Sequence, residues 1–270
     1  MVERLLTIVG LWPSENSVWS YYGRPYIVLV ILMLALAPMI NYIVRDLTTT
    51  QETIEVASFS TTASSSMLKV FMITINRKKV RVLYQRLQNY VRETEQEGRL
   101  MEYAYERVEV CYSLAHTLTI TVFGAFVTVV IIPCLYALIC LIWDPAAVEF
   151  QLIYPARYPW DPSSNRLAFV GIYIIQLMTT LSTSISVSGI DGFLLLLVCQ
   201  GVIILRAMAY RLNNIENSEN HEDVLDKCVQ NWVFIIHLRD ELQRIYGPII
   251  LYNVVTSVFL MCTLMFQLAQ

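Results

Sequence analysis

Residues able to do acid–base, nucleophilic or metal chemistry are few in this 270-residue sequence, and they do not assemble into a reactive set. His221 and Asp226 form an H-x4-D pair, a spacing with which a membrane acyltransferase sets a base beside its orienting carboxylate. Here the pair lies in the strongly polar stretch 213–226 without a companion Gly-rich block, so a solvated acidic loop is the simpler reading. His237, Arg239 and Asp240 stand together but lack the Asn and metal-binding Asp of a kinase loop. His116 is isolated, and no G-x-S-x-G, H-E-x-x-H or Walker A sequence occurs. The six cysteines (Cys111, Cys134, Cys140, Cys199, Cys228 and Cys262) show no C-x-x-C spacing. They read as small apolar packing residues rather than a disulfide framework or a metal site. An enzyme is not expected, and no cofactor is implied.

Two charges fall inside long apolar runs, Lys69 and Asp191. Ionisable groups within a membrane normally flag ion or proton pathways. A transporter would show more of them, with broken helices paired between two related halves. Gly189 and Gly192 offer one candidate break, with no counterpart elsewhere.

The elements that must carry these residues are membrane-spanning. Apolar residues make up 56% of the chain, charged residues 15%, and mean hydropathy is +0.52. Soluble domains run at about 45–50% and about 25%. A net charge of −3 provides no bulk positive field for nucleic acid. The first long apolar run begins at Tyr26, too far in and too long for a cleaved signal peptide, so it reads as a retained helix that directs insertion. The predicted fold class is all-α, a polytopic transmembrane bundle with cytosolic helical extensions.

Before that run, Gly10-Leu11-Trp12-Pro13 breaks an amphipathic lead, and Trp12, Trp19, Tyr21, Tyr22 and Tyr26 suggest an interfacial belt. Five spans are predicted, at about 26–44, 54–75, 114–142, 167–205 and 249–268. The first has 19 residues, about 28 Å at helical rise, close to a hydrocarbon core of about 30 Å. Pro38 is expected to kink it, and Pro133 to bend the third. The second is rich in Ser and Thr and carries Lys69, so it should face protein or water; Thr49 and Glu52 have capping-box spacing at its start. The fourth is either one long helix or a hairpin turning at Gly189-Ile190-Asp191-Gly192. Val80–Val91 and Leu225–Tyr246 have the spacing of amphipathic helices, and the last span is entered through Gly247-Pro248. Three prolines and three aromatics in Tyr154–Pro162 predict a stiff, turn-rich lid.

Positive charge orients the set. Of 19 Lys and Arg, 8 lie in Asn76–Val110 and 5 in Arg206–Tyr246, but only 1 in Arg45–Glu55 and 2 in Trp143–Ala168. Lys and Arg stay preferentially on the cytoplasmic side. The N-terminus and the loops 76–110 and 206–246 are therefore placed inside, with 45–53 and 143–166 outside. One long fourth helix keeps the five charges inside, so the charges favour it over the hairpin. This orientation is opposite to that of G-protein-coupled receptors. On it, Phe59 and Thr62, Phe126 and Val130, and Tyr173, Leu177 and Thr180 fall on the outer halves of spans 2, 3 and 4. Each set has i, i+3 or i+4 spacing and can share one helix face. A pocket among them would be apolar with a few hydroxyls, suited to a small hydrophobic ligand.

In this order and spacing, several motifs resemble the insect odorant receptor family. They are Gly10-Leu11-Trp12-Pro13, the basic first inner loop, Tyr158-Pro159-Trp160-Asp161, the run Asp191-Gly192-Phe193 down to Arg206 and Leu212, and the helix with Cys228, Trp232 and Leu242. The resemblance implies a ligand-gated cation channel built as a tetramer. A tuning subunit would assemble with a shared co-receptor, in the plasma membrane of a sensory neuron, and bind an odorant between its spans. It also implies seven spans. The sixth and seventh are not in this sequence, which reads as truncated after the fifth. Gustatory receptors of the same superfamily, or a five-span transporter or lipid-handling protein, are the alternatives.

Overall fold

Apolar side chains recur at helical spacing along nearly the whole sequence, and the described residues form eight α-helices and no strand. A computed structural model describes residues 1–12, 19–45, 50–95, 98–105, 108–143, 152–158, 166–215 and 221–268. The helices are α1 (Val2–Val9), α2 (Trp19–Arg45), α3 (Thr50–Ile75), α4 (Arg77–Glu95), α5 (Gly98–Tyr105), α6 (Val108–Trp143), α7 (Arg166–Asn213) and α8 (His221–Leu268). Helix α7 is the hub and packs against α1, α2, α3, α4, α5, α6 and α8. Outside the described residues, or with side chains outside them, lie Pro13, Trp19, Thr49, Glu52, Pro133, Cys134, Cys140 and the prolines and aromatics of 159–162.

The outward faces are as apolar as the inward ones. Helix α2 buries Leu32, Ala35, Leu36 and Met39 yet exposes Ile27, Val30, Met33 and Leu34; α8 exposes Leu251, Val254, Val255, Val258 and Phe259. Helices apolar all round belong in a membrane. Among the described residues four segments are long and apolar enough to cross one: Tyr21–Arg45, Glu102–Ile131, Ala168–Asn213 and His221–Cys262. The protein is an all-α, multi-pass membrane bundle. At 26 residues α3 is long enough but is not among the four, because its hydroxyls lower its hydropathy. Most of those hydroxyls bond within the helix: Ser58, Thr62 and Ser66 each donate to the carbonyl four residues back, at 2.7, 2.8 and 3.0 Å, while Ser65 donates across to Asn253 Oδ1 on α8 at 2.6 Å. Once paired this way, they cost little in a dry environment and keep the helix slim enough for close packing.

The N-terminal motif is the stop and clamp of α1. Gly10 adopts φ +79°, where only glycine is unstrained. The N–H of Gly10 donates to Thr7 O at 3.2 Å and that of Leu11 to Leu6 O at 2.8 Å, the paired bonds of a Schellman stop. A Cβ on Gly10 would also sit 2.5 Å from Tyr21 O. Leu11 is buried, and Trp12 packs edge-on against Tyr84 at 5.2 Å and Phe193 at 5.9 Å. This revises the aromatic belt. Trp12 is partly buried against the core, and Tyr21 is buried with its hydroxyl donating to Trp12 O at 3.0 Å; only Tyr22 and Tyr26 of the described set face outward.

No turn occurs at Gly189–Gly192. Helix α7 runs unbroken for 48 residues, and the two glycines are the seat of α1. A Cβ on Gly189 would lie 3.2 Å from Leu6 Cδ2, and one on Gly192 2.8 Å from Val2 Cγ2. Small residues here let two helices touch. Helix α8 likewise continues through Gly247-Pro248, where the sequence suggested a junction. Proline removes one N–H from the ladder, which a long membrane helix tolerates.

Candidate functional site

The residues 152–158 do not sit above the bundle as a detached lid. They fold back into it, because α7 offers a buried amide. Gln176 is fully buried. Its Oε1 accepts the N–H of Ile153 at 2.8 Å, and its Nε2 donates to Tyr154 O at 3.2 Å and to the Tyr158 hydroxyl at 3.4 Å. Helix α2 holds the other end: Arg157 N–H donates to Pro38 O at 3.2 Å, and Asn41 Nδ2 donates to Arg157 O at 3.3 Å. Four of the segment's backbone polar groups are thereby paired, which lowers the cost of burying its apolar side chains. Ile153 and Tyr154 join Ala35, Met39 and Val56 in a small core, with Tyr154 against Phe59 at 5.6 Å.

Beneath this plug lies a cavity of about 400 Å³. That is within the range of about 300–1,000 Å³ typical of small-molecule sites. Helix α2 contributes Met39, α3 contributes Ser58, Phe59, Thr62 and Ala63, and the plug contributes Tyr154. One face of α6 adds Thr121, Val122, Ala125, Phe126 and Val129, and one face of α7 adds Thr179, Thr180, Thr183, Ser184 and Val187.

The hydroxyls give this apolar space a definite polarity. Thr180 donates to Gln176 O at 2.8 Å, Ser184 to Thr180 O at 3.0 Å, Thr179 to Ile175 O at 2.8 Å and Thr121 to Thr117 O at 2.9 Å. With their protons committed to the backbone, these oxygens offer lone pairs only. The Tyr154 hydroxyl is buried next to Thr179 and has no partner in good hydrogen-bond geometry among the described residues. Burial raises the Tyr154 and Tyr158 phenols above their ordinary value, so both stay neutral donors. The wall therefore combines two uncommitted hydroxyls, those of Tyr154 and Thr183, with several acceptors and a large aromatic and aliphatic surface.

Four of the seven residues singled out from the sequence line this cavity: Phe59, Thr62, Phe126 and Thr180. Val130 does not; its neighbour Val129 does, because the α6 face is centred on 122, 125, 126 and 129. Tyr173 and Leu177 do not either. They pack against the small core around Ile153 and Tyr154, one to two turns away. The incoming segment fills the space beside them, so the cavity face of α7 begins at Thr179. Sequence reasoning missed Tyr154, Gln176 and the Thr183–Val187 turn. The clue available was a glutamine in the middle of an apolar helix, which demands partners.

Toward the other end of α3, Lys69 Nζ donates to Asp191 Oδ2 at 2.7 Å. The two intramembrane charges are therefore one ion pair joining α3 to α7 rather than two separate groups. The remaining candidates do not gather. Asp226 accepts from Gln230 Nε2 at 3.2 Å on the exposed surface of α8, and Arg239 pairs with its neighbour Asp240 at 2.7 Å. No group of three or more metal-ligating side chains occurs among the described residues.

Fold and cavity together define a multi-pass helical membrane protein with a small-molecule-sized space inside its bundle. The chain belongs to the 7tm odorant receptor family, whose model matches residues 49–270. The fold is similar to that of the insect olfactory receptor OR5 from Machilis hrabei, with TM-score 0.74 at 16% identity over 99% of this chain and 70% of that one. The structure of OR5 in complex with eugenol superposes with TM-score 0.78 at 18% identity, over 100% of this chain and 70% of that one. No curated protein matches the sequence.

Proposed function

We propose that this chain is an odorant-tuning subunit of a ligand-gated cation channel. It acts with the shared co-receptor as a heterotetramer in the plasma membrane of olfactory neurons. The observation that carries the reading is the cavity of about 400 Å³ beneath the Tyr154 plug. Its chemistry suits a small volatile with an apolar body and one oxygen: a hydroxyl or carbonyl that accepts from Tyr154, or a hydroxyl that donates to a threonine oxygen. The solved relative in complex with eugenol supports a ligand of this kind. The excess of Lys and Arg in 76–110 and 206–246 supports an inner N-terminus with the cavity in the outer half of the membrane. On this topology α3 is the second of the five spans, facing protein. Leu225, Val229, Trp232 and Val233 form an exposed apolar stripe on the first half of α8. Such a stripe supports subunit association on the inner side.

Co-expression with the co-receptor tests the reading. Eugenol and a panel of small alcohols, phenols and ketones should evoke an inward cation current that requires this chain. A response identical with and without the chain contradicts it.

A further inference from the structure

Helix α4 follows α3 after the single residue Asn76 and carries Arg77, Lys78, Lys79, Arg81 and Arg86. These cations differ in their surroundings. Arg77 lies over the rings of Tyr21 and Tyr22, at 5.0 and 4.3 Å, and Arg81 Nη2 reaches the Tyr22 hydroxyl at 3.5 Å. Lys78, Lys79 and Arg86 instead surround a depression of about 280 Å³ between α4 and α8. His237 and Glu241 close its far side, and Val82 and Leu83 give it an apolar floor. Glu241 Oε2 lies 3.6 Å from Lys79 Nζ, while among the described residues Lys78 and Arg86 have no acidic partner. Three fixed cations thus face one carboxylate, an arrangement that repels itself until an anion enters.

We propose that this depression binds the phosphorylated headgroup of an anionic phospholipid of the inner leaflet. The inference rests on the inward placement of 76–110 proposed above. Basic clusters immediately beyond a membrane span are suited to such headgroups. The apolar surroundings favour a lipid over a free phosphate. Helical hydrogen bonds run across the corner, from Asn76 N to Met72 O at 3.2 Å and from Val80 N to Asn76 O at 3.0 Å. Phe71, Ile75, Lys79 and Val82 therefore keep helical register, and Phe71, Ile75 and Val82 are exposed. That apolar track beside the cations is a path for an acyl chain.

The test uses the full chain in neutral detergent micelles, with dioctanoyl phosphatidylinositol bisphosphate as probe. Dioctanoyl phosphatidylcholine and soluble inositol trisphosphate are the comparisons. The bisphosphate lipid should bind saturably, the choline lipid should not, and the soluble headgroup should bind at least tenfold more weakly than the lipid. Lys78→Ala/Arg86→Ala should weaken lipid binding about 30-fold, and Glu241→Gln should tighten it about fivefold. Tightening separates a binding role from misfolding, because a damaged fold does not gain affinity. Equal affinity for the soluble headgroup would overturn the lipid assignment, and variants that bind like the parent would overturn the site. Micellar binding does not depend on sidedness, so the topology is judged separately. Binding with 76–110 found outside sinks the topology and the inner-leaflet assignment but keeps the site; no binding with 76–110 inside sinks the site alone.

Discussion

Replacing Asp191 by Asn keeps the shape of the side chain and removes its charge, which strands Lys69. The Lys69 side chain is 4% exposed and that of Asp191 29%. At 2.7 Å the pair attracts by about 6 kcal/mol at an effective dielectric constant of about 20. That offsets the several kcal/mol that each ion loses by leaving water. Asp191→Asn leaves an ammonium with almost no access to solvent, and should cost about 3–5 kcal/mol. Lys69→Met should cost less, about 1–3 kcal/mol, because the orphaned carboxylate keeps part of its hydration. The double variant Lys69→Met/Asp191→Leu should return to within about 1 kcal/mol of the parent, since neither charge is then left alone. The assay is thermal unfolding of the detergent-solubilised protein, read as loss of the monodisperse species. At about 2–4 °C per kcal/mol, Asp191→Asn should lower Tm by about 6–20 °C, with Lys69→Met in between. If the two single variants are equally stable and their effects simply add in the double, the pair is not coupled and the argument fails.

Three further outcomes follow from the fold. Gln176→Leu strips partners from the Ile153 N–H and the Tyr154 carbonyl, costing about 2–6 kcal/mol, so tryptic cleavage after Arg157 should accelerate at least tenfold. Gly10→Ala should destabilise by more than the about 1–2 kcal/mol of a left-handed non-glycine residue, because its Cβ meets Tyr21 O as well; Gly124→Ala, with nothing within 4 Å of the new methyl, should be neutral or slightly stabilising in the same melting assay. An epitope tag inserted near Gly98 should stain only after permeabilisation, and staining of intact cells would reverse the proposed topology.

Much of the architecture was legible because helical periodicity is a local property. The amphipathic pattern Val80, Leu83, Leu87, Val91 reappears as the buried face of α4. Charge distribution alone favoured one long helix over a hairpin at 167–205, and α7 is unbroken there. What stayed hidden depends on contacts between distant segments. Gly189 and Gly192 offered only a candidate break, since no local signal says that a helix more than 170 residues away sits on them. Lys69 and Asp191 each stood out, but their pairing across 122 positions needs the fold. The cavity was found on α3 and α6 to within one residue, whereas on α7 it was placed about a turn too far toward Tyr173. The error has one cause. Tyr154–Pro162 reads as a lid from its sequence, and Gln176 instead draws the described segment 152–158 inside.

The central claim is that a small odorant occupies the cavity between α2, α3, α6 and α7. Photolabelling of the chain with a diazirine analogue of eugenol tests it most directly, followed by mass-spectrometric mapping with and without excess eugenol. The account predicts competable labels on Phe59, Thr62, Phe126 and Tyr154, with Thr180 or Thr183 on α7. Labels confined to the outward residues Ile27, Val30, Val254 and Val258, and indifferent to competition, would mean that the analogue had only dissolved in lipid or detergent and that the cavity is not the odorant site.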